Sequence, residues 1–179
     1  TEPDIENAAE ARDFLKSLIA ILKYLGIYET RCIIKADANV SLKETGYVRA
    51  EIKNITGFKE IERALNYEIE RQKQEGMVSQ ETRAWDSEKG YTYSLRKKES
   101  EEDYGYIFDP DLVPIDIKFL KIKELPELPY EKETRYKKIG LSEDDAYVIS
   151  NDFELVTIFE KTSEKINPKL AAKWVRREL

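Results

Sequence analysis

Two alternating segments put seven polar side chains where phosphoryl chemistry could be carried out. Between Arg31 and Leu42 the period is two: Cys32, Ile34, Ala36, Ala38, Val40 and Leu42 fall on one face, and Lys35, Asp37, Asn39 and Ser41 on the other. Tyr47 to Asn54 repeats the pattern, with Val48, Ala50 and Ile52 apolar and Arg49, Glu51 and Lys53 polar. Carboxylates and an amide of this kind can hold Mg2+ or orient a nucleophile, while Lys and Arg neutralise phosphoryl oxygens. The solvated face of a half-exposed antiparallel sheet has the same composition. A second cluster, Gln80-Glu81-Thr82-Arg83 with Ser94 and Arg96 on the neighbouring strand, offers hydroxyl and guanidinium groups suited to phosphate or carboxylate. On the residues alone, cross-strand ion pairing is the favoured account of it.

Residue type rules out other chemistries. The 179-residue sequence contains no histidine and one cysteine, Cys32. This chain alone therefore builds no Ser-His-Asp or Cys-His nucleophile, no HExxH metalloprotease and no imidazole relay. A lone cysteine permits neither an internal disulfide nor a multi-cysteine zinc site, and it suits a reducing compartment. The seven glycines stand singly, so both standard glycine-rich phosphate loops are absent. A nucleotide site would have to be built on a sheet face.

The elements must bring the polar residues together. Two core faces coincide across a hairpin only if its loop is odd, and Glu44-Thr45-Gly46 supplies such a loop. The predicted register sets Lys43 opposite Tyr47, Ser41 opposite Arg49, Asn39 opposite Glu51, and Asp37 opposite Lys53. Upstream, Asn7 and Glu10 resemble a capping box opening a helix that carries Ala8, Ala11, Phe14, Leu15, Leu18, Ile19, Leu22 and Leu25 and stops at Gly26. After Gly57, Phe58, Ile61, Leu65 and Ile69 predict an amphipathic helix to Gly76. Strands are predicted at 77–86 and 91–97, with a short one through Ile115, Ile117 and Phe119. Trp85, Tyr91 and Tyr93 read as packing residues. Residues 96–103 form a charge run, and Asp109-Pro110-Asp111 a turn.

The prolines of Leu125-Pro126-Glu127-Leu128-Pro129 mark a domain boundary. Beyond it, helices are predicted at 130–139 closed by Gly140, after a Ser142 cap, after an Asn151 cap with Glu154, and from Asn167-Pro168 onward. The predicted class is α+β: an antiparallel sheet flanked by helices over residues 1–124, then a small all-α domain over 125–179.

Thirty basic and 36 acidic residues leave a net charge of −6, which argues against a whole-surface grip on nucleic acid. Lys165, Lys169, Lys173, Arg176 and Arg177 nevertheless form a local basic surface that could touch RNA phosphates or simply be solvated. Charged residues make up 37% of the chain, above the usual ~25%, which suggests a surface laced with ion pairs and a thermophilic source. No apolar run reaches the ~18 residues of a membrane span, so no membrane partner is expected. No signal-peptide pattern opens the chain. The Thr1 start and a last helix still running at Leu179 suggest a piece of something longer.

At these residues the sequence resembles the GatB family, the B subunits of the aspartyl/glutamyl-tRNA amidotransferases. The matching stretches are Thr1 to Ile5, Asp37-Ala38-Asn39-Val40-Ser41, Glu51-Ile52-Lys53-Asn54, the helix from Phe58 to Gln72, Gln80 to Asp86, Ser94-Leu95-Arg96, Asp109 to Leu112, Leu125 to Pro129, and Asn167 to Trp174. Archaeal GatE fits less well. The resemblance implies a glutamine-synthetase-like cradle and a cytoplasmic ligase. With ATP and Mg2+ it phosphorylates the side-chain carboxylate of Glu-tRNA(Gln) or Asp-tRNA(Asn). Ammonia from the partner glutaminase, the A subunit, then completes the amide, with the small C subunit in the complex. By carry-over, Asp37, Asn39, Glu51 and Lys53 are catalytic candidates. Lys35, Ser41, Arg83, Ser94 and Arg96 are cofactor-binding candidates, and no metal ligand is assigned. Lys35 stands where the family usually has arginine beside a cysteine, Thr30 to Ile34 replace a Glu-Gly segment, and Gly105 replaces an expected arginine. The family's histidine and glutamate motifs lie upstream of the stretch matching Thr1 to Ile5, so this chain is expected to hold part of the pocket and to be inactive alone. A different reading keeps the scaffold as a non-catalytic RNA-binding or complex-assembly module.

Overall fold

A computed structural model describes residues 3–28, 31–97, 110–114, 116–119 and 124–178. The elements run α1 (Ala8–Tyr24), β1 (Lys35–Val40), β2 (Ala50–Thr56), α2 (Phe58–Glu75), β3 (Glu81–Asp86), β4 (Tyr91–Lys97), α3 (Pro129–Lys138), α4 (Glu143–Ser150), α5 (Phe153–Ser163) and α6 (Pro168–Glu178). Short 3-10 turns occur at Lys43–Thr45 and Ile117–Phe119. Two compact units divide them. One takes in the described residues of Thr1–Asp13 and Ile33–Ile122, the other those of Phe14–Cys32 and Lys123–Leu179. Among the described residues no helix is long and apolar enough to cross a membrane.

The class is α+β, as the change from period two to helical spacing implies. The strands lie in the order β1-β2-β3-β4. Both outer pairs are antiparallel, but β2 and β3 run parallel, so the sheet is mixed. The 18-residue α2 is the cause, because a chain that leaves a strand through a helix can return in the same direction.

The predicted hairpin register holds in its middle, with Val40 opposite Ala50, Asn39 opposite Glu51 and Ala38 opposite Ile52. It then slips by one, and Ala36 meets Ile55. Ile52 and Ile55 are both fully buried, a three-residue spacing that strict alternation cannot satisfy. Asn54 supplies the extra residue by adopting a left-handed conformation at φ 68, and both isoleucines then face the core. At the other end the ladder stops at Val40, so the predicted Ser41–Arg49 and Lys43–Tyr47 pairs do not form. Gly46 (φ 73) and Tyr47 (φ 59) are both left-handed, and the Tyr47 N–H reaches back 2.8 Å to the Leu42 carbonyl. That closes residues 41–49 into a wider loop than the predicted three-residue turn.

α2 packs on one face of this sheet, burying Ile61, Ala64 and Leu65, and Glu68 and Gln72 on the same stripe. β3 begins at Glu81 rather than Met77, which is 93% exposed, because parallel pairing with β2 starts at Ala50 opposite Glu81. β4 spans the predicted residues. Ile117 and Phe119 lie in a 3-10 turn, not a strand. The predicted charge run beyond Lys97, Gly105, Asp109 and Ile115 lie outside the described residues.

In the second unit, Tyr136 and Phe159 meet edge to face at 4.8 Å among buried Ile149, Val156, Ala171, Ala172 and Val175. Tyr24 near the end of α1 belongs to this core and donates a 2.6 Å hydrogen bond to the Ser150 carbonyl. Ser142 caps α4 as predicted. The cap of α5 is Asp152, whose carboxylate accepts from the Glu154 and Leu155 N–H groups, rather than Asn151.

Arg135 and Lys132 hold Glu127 and Glu160 in one ion cluster. The bidentate hydrogen bonds from Arg135, with those from Lys132, outweigh burial and bring the Glu127 carboxyl down to about 2. A carboxylate depressed in the folded state contributes stability that is complete above its ordinary value near 4.5 and is lost as pH falls towards about 2. The urea midpoint of this unit, followed by far-UV circular dichroism, should therefore fall between pH 5 and pH 2.5. Glu127→Gln should flatten that fall. A variant with the wild-type acid slope would refute the assignment.

Candidate functional site

Alternation along β1 and β2 turns Val40, Ala50 and Ile52 towards α2 and leaves Asp37, Asn39, Glu51 and Lys53 on the opposite, exposed face. Lys53 is the centre of this group. Its Nζ lies 2.8 Å from Asp37 Oδ2 and 2.9 Å from Glu51 Oε1. The bulge at Asn54 displaces the backbone register here, yet the Asp37–Lys53 pair expected from the sequence forms through the side chains. The hydrogen bond to Asp37, then that to Glu51, raise the Lys53 ammonium above its ordinary value and keep it charged. Glu51 is the most enclosed of the three, 15% exposed against 37% for Lys53 and 52% for Asp37.

The parallel β2–β3 pair brings a residue of the second sequence cluster, Thr82, alongside the first. Thr82, 1% exposed, sits beside Glu51 and directs its hydroxyl to Glu51 Oε2 at 3.4 Å. Register continues the row across the sheet, from Asn39 to Glu51 to Thr82 to Arg96. The parallel return of the chain was the missing signal, since it alone places position 82 next to position 51.

The other candidates are distributed differently. Lys35 lies beyond the bulge, opposite Thr56, and Ser41 has left the ladder, so both flank the cluster. Arg83 and Ser94 are register partners on the α2 side of the sheet. Arg83 is buried and donates to Thr92 Oγ1 at 2.8 Å, the Thr92 carbonyl at 2.7 Å and Glu81 Oε1 at 2.6 Å. Burial alone would push the Glu81 carboxyl up, but hydrogen bonds from Ser94 and Arg83 hold it below the ordinary range. Glu68, fully buried, receives Arg71, Gln72 and the Thr92 hydroxyl, with Arg83 Nε 3.5 Å away. Arg83 therefore ties the sheet to α2 by the ion pairing that its residue pattern favours, while the resemblance implies a phosphate or carboxylate contact for it. Polar residues at core positions of the α2 stripe, Glu68 and Gln72, were the sequence signal for this buried network. In α6, Arg176 pairs with Asp144 and with Asp145 at 2.8 Å, and Lys169, Lys173 and Arg177 are exposed beside it.

Comparison with known proteins decides the family. Residues 1–123 match the family described as the GatB/GatE catalytic domain. The chain belongs to that family. Curated relatives named as the B subunit of aspartyl/glutamyl-tRNA(Asn/Gln) amidotransferase include those of Alkalilimnicola ehrlichii, 41% identical over 98% of this chain, and Pseudomonas paraeruginosa, 42% identical over 100%. The protein of the same name from Methanothermobacter thermautotrophicus is 42% identical over 100% of this chain. This GatB/GatE chain spans 41% of the length of each of these relatives.

What the cluster can do follows from its charges. Two carboxylates bridged by an ammonium, with an amide alongside by register, can accept protons, position a hydroxylic or carboxylate substrate and meet phosphoryl oxygens. No group of three or more His, Cys, Asp or Glu residues able to hold a metal occurs among the described residues. Asp37 and Glu51 are nonetheless a suitable partial donor set for Mg2+, which commonly takes one or two carboxylates and completes its shell with phosphate oxygens and water.

Proposed function

We propose that the exposed face around Lys53 is part of the kinase site of a tRNA-dependent amidotransferase. The Asp37–Lys53–Glu51 cluster carries this reading: it joins three of the four residues that the GatB resemblance marks as catalytic, by contacts of 2.8 and 2.9 Å. In the reaction, a side-chain carboxylate oxygen of Glu-tRNA(Gln) or Asp-tRNA(Asn) attacks the γ-phosphorus of ATP. The bond to the β,γ-bridging oxygen breaks and ADP leaves. Ammonia then attacks the acyl carbon, phosphate departs with the bonding pair, and the lost proton passes to solvent or a carboxylate.

Lys53 would meet the negative charge of the incoming phosphoryl group. Asp37 and Glu51 would hold Mg2+, which when bound neutralises phosphoryl oxygens, and Asn39 would orient the acceptor. Thr82 supports Glu51 from β3. The glutaminase partner, the A subunit, supplies the ammonia, the small C subunit completes the complex, and the setting is cytoplasmic. This chain contributes Asp, Asn, Glu and Lys to the site and leaves the rest to residues outside it, so it is inactive alone.

The full-length protein, assembled with its partners and given ATP and Glu-tRNA(Gln) or Asp-tRNA(Asn) without glutamine, should release ADP only when the mischarged tRNA is present. Tight tRNA binding with no tRNA-dependent ADP release would overturn the kinase reading and favour an RNA-binding module.

A further inference from the structure

The buried polar layer beneath the sheet reaches the end of β1 through one residue. Gln72, fully buried on α2, donates from Nε2 to the Val40 carbonyl at 3.3 Å and to Glu68 Oε1 at 3.0 Å. Its Oε1 accepts the Thr45 hydroxyl at 3.5 Å, and that hydroxyl also reaches the Leu42 carbonyl at 3.2 Å. One side chain thus grips β1 at its last residue and the 3-10 turn that follows. Every buried side-chain N or O among the described residues has a partner. A fully satisfied network of this kind admits one arrangement and penalises others, because each displaced group would be left buried and unpaired.

The geometry points to Gln72 as a positioning residue for the exposed face. It does not touch that face. Val40 is flanked by Asn39 and Ser41 and pairs with Ala50, the neighbour of Glu51, so holding the Val40 carbonyl fixes where the strands part and how Asn39 and Glu51 are presented. Backbone hydrogen bonds to the Leu42 and Lys43 carbonyls close the turn from within. Residues 41–49 carry two consecutive left-handed positions, Gly46 and Tyr47, and Tyr47 is not a residue that favours such a conformation. The amide of Gln72 supplies the constraint from below. The chain of contacts runs from Glu68 to Gln72 to Val40 and Thr45, and thence to the catalytic candidates on the other side of the sheet.

Loop order follows from these contacts, and its consequence for turnover rests on the kinase reading. Two variants test it: Gln72→Met, which keeps length while removing both hydrogen-bonding ends, and Thr45→Val, which removes the hydroxyl's contacts with Gln72 Oε1 and the Leu42 carbonyl and keeps the Gln72 bonds to Val40 and Glu68. Amide hydrogen exchange on this chain should show faster exchange at Gly46 and Tyr47 in both variants, more so in Gln72→Met, with α2 still protected. In the full-length protein within its complex, Gln72→Met should lower the kcat of tRNA-dependent ADP release by on the order of tenfold to a hundredfold, as expected when catalytic groups are misplaced by about 1 Å. The KM for tRNA should change less than about threefold, since α6 and the remainder of the protein are untouched. Unchanged exchange at Gly46 and Tyr47 in both variants overturns the proposal. So does faster loop exchange with kcat unaltered, provided Asp37→Ala abolishes turnover in the same assay. If Asp37→Ala itself is fully active, the kinase reading fails, and the exchange data alone decide whether Gln72 orders the loop. If Gln72→Met does not fold, Thr45→Val carries the same two readouts.

Discussion

Asp37→Ala in the full-length protein, assembled with its partners, is expected to lower tRNA-dependent ADP release by at least about a hundredfold, the scale seen when one preorganised electrostatic group is removed from a site. Asp37 is half exposed, and its ion pair with Lys53 is partly solvated, so its contribution to folding is small. The variant should keep its melting temperature and its place in the complex, which separates a catalytic loss from a structural one. Lys53→Met makes the converse test. It removes the ammonium that bridges Asp37 and Glu51, and the loss should be greatest in the KM for ATP, because the positive charge that would meet the phosphoryl oxygens is gone. Full turnover in both variants would reduce the cluster to an ordinary surface ion pair.

Arg83→Leu should destabilise the sheet unit by about 3–5 kcal/mol, the effect of removing one partner from a buried ion pair. The size follows from what the guanidinium leaves behind. Glu68 is fully buried and Glu81 nearly so, and Arg83 contacts both. Arg71 still serves Glu68 at 2.6 Å, but Glu81 would keep only the longer 3.4 Å contact with Arg71 and the Ser94 hydroxyl. Against a net stability of about 5–15 kcal/mol for a domain, such a loss is severe. Trp85, buried on β3 with its indole N–H on Glu60 at 2.8 Å, reports the unfolding of this unit in a Trp174→Phe background. The double variant Arg83→Leu/Glu81→Leu should recover part of the loss, since the uncompensated charge is then gone. A urea midpoint within error of wild type would mean that Arg83 is free to serve a ligand after all.

How legible each feature was depends on the range over which it is determined. The strands of the hairpin, the middle of its register and the Ser142 cap follow from local patterns, and all three were read from the chain. Ile52 and Ile55 were harder. Their three-residue spacing breaks alternation, and only a left-handed Asn54 lets both face inward. The polar face was visible as composition, but its exposed lysine-centred cluster looks the same on paper as a solvated sheet. Thr82 and Arg83 are adjacent in sequence and face opposite sides of the sheet, one towards Glu51 and the other towards α2. Their assignments depend on the parallel return of β3, a non-local fact that no window of sequence contains. Glu68 and Gln72 occupied core positions of a helix otherwise read by its apolar residues, and they were overlooked for that reason.

The parallel pairing of β2 with β3 also sets an order in time. β1 and β2 are joined by residues 41–49 alone, and a hairpin of this kind closes on a scale of about 1–10 μs. The Glu51–Thr82 contact spans 31 positions and cannot form until α2 has folded back across the sheet. Asp37, Glu51 and Lys53 can therefore meet early, whereas their support from β3 arrives last. A nascent chain released after Glu75 would carry the ion cluster and both left-handed turns, with the hydrogen-bonding edge of β2 still unpaired and open to any other strand that reached it first.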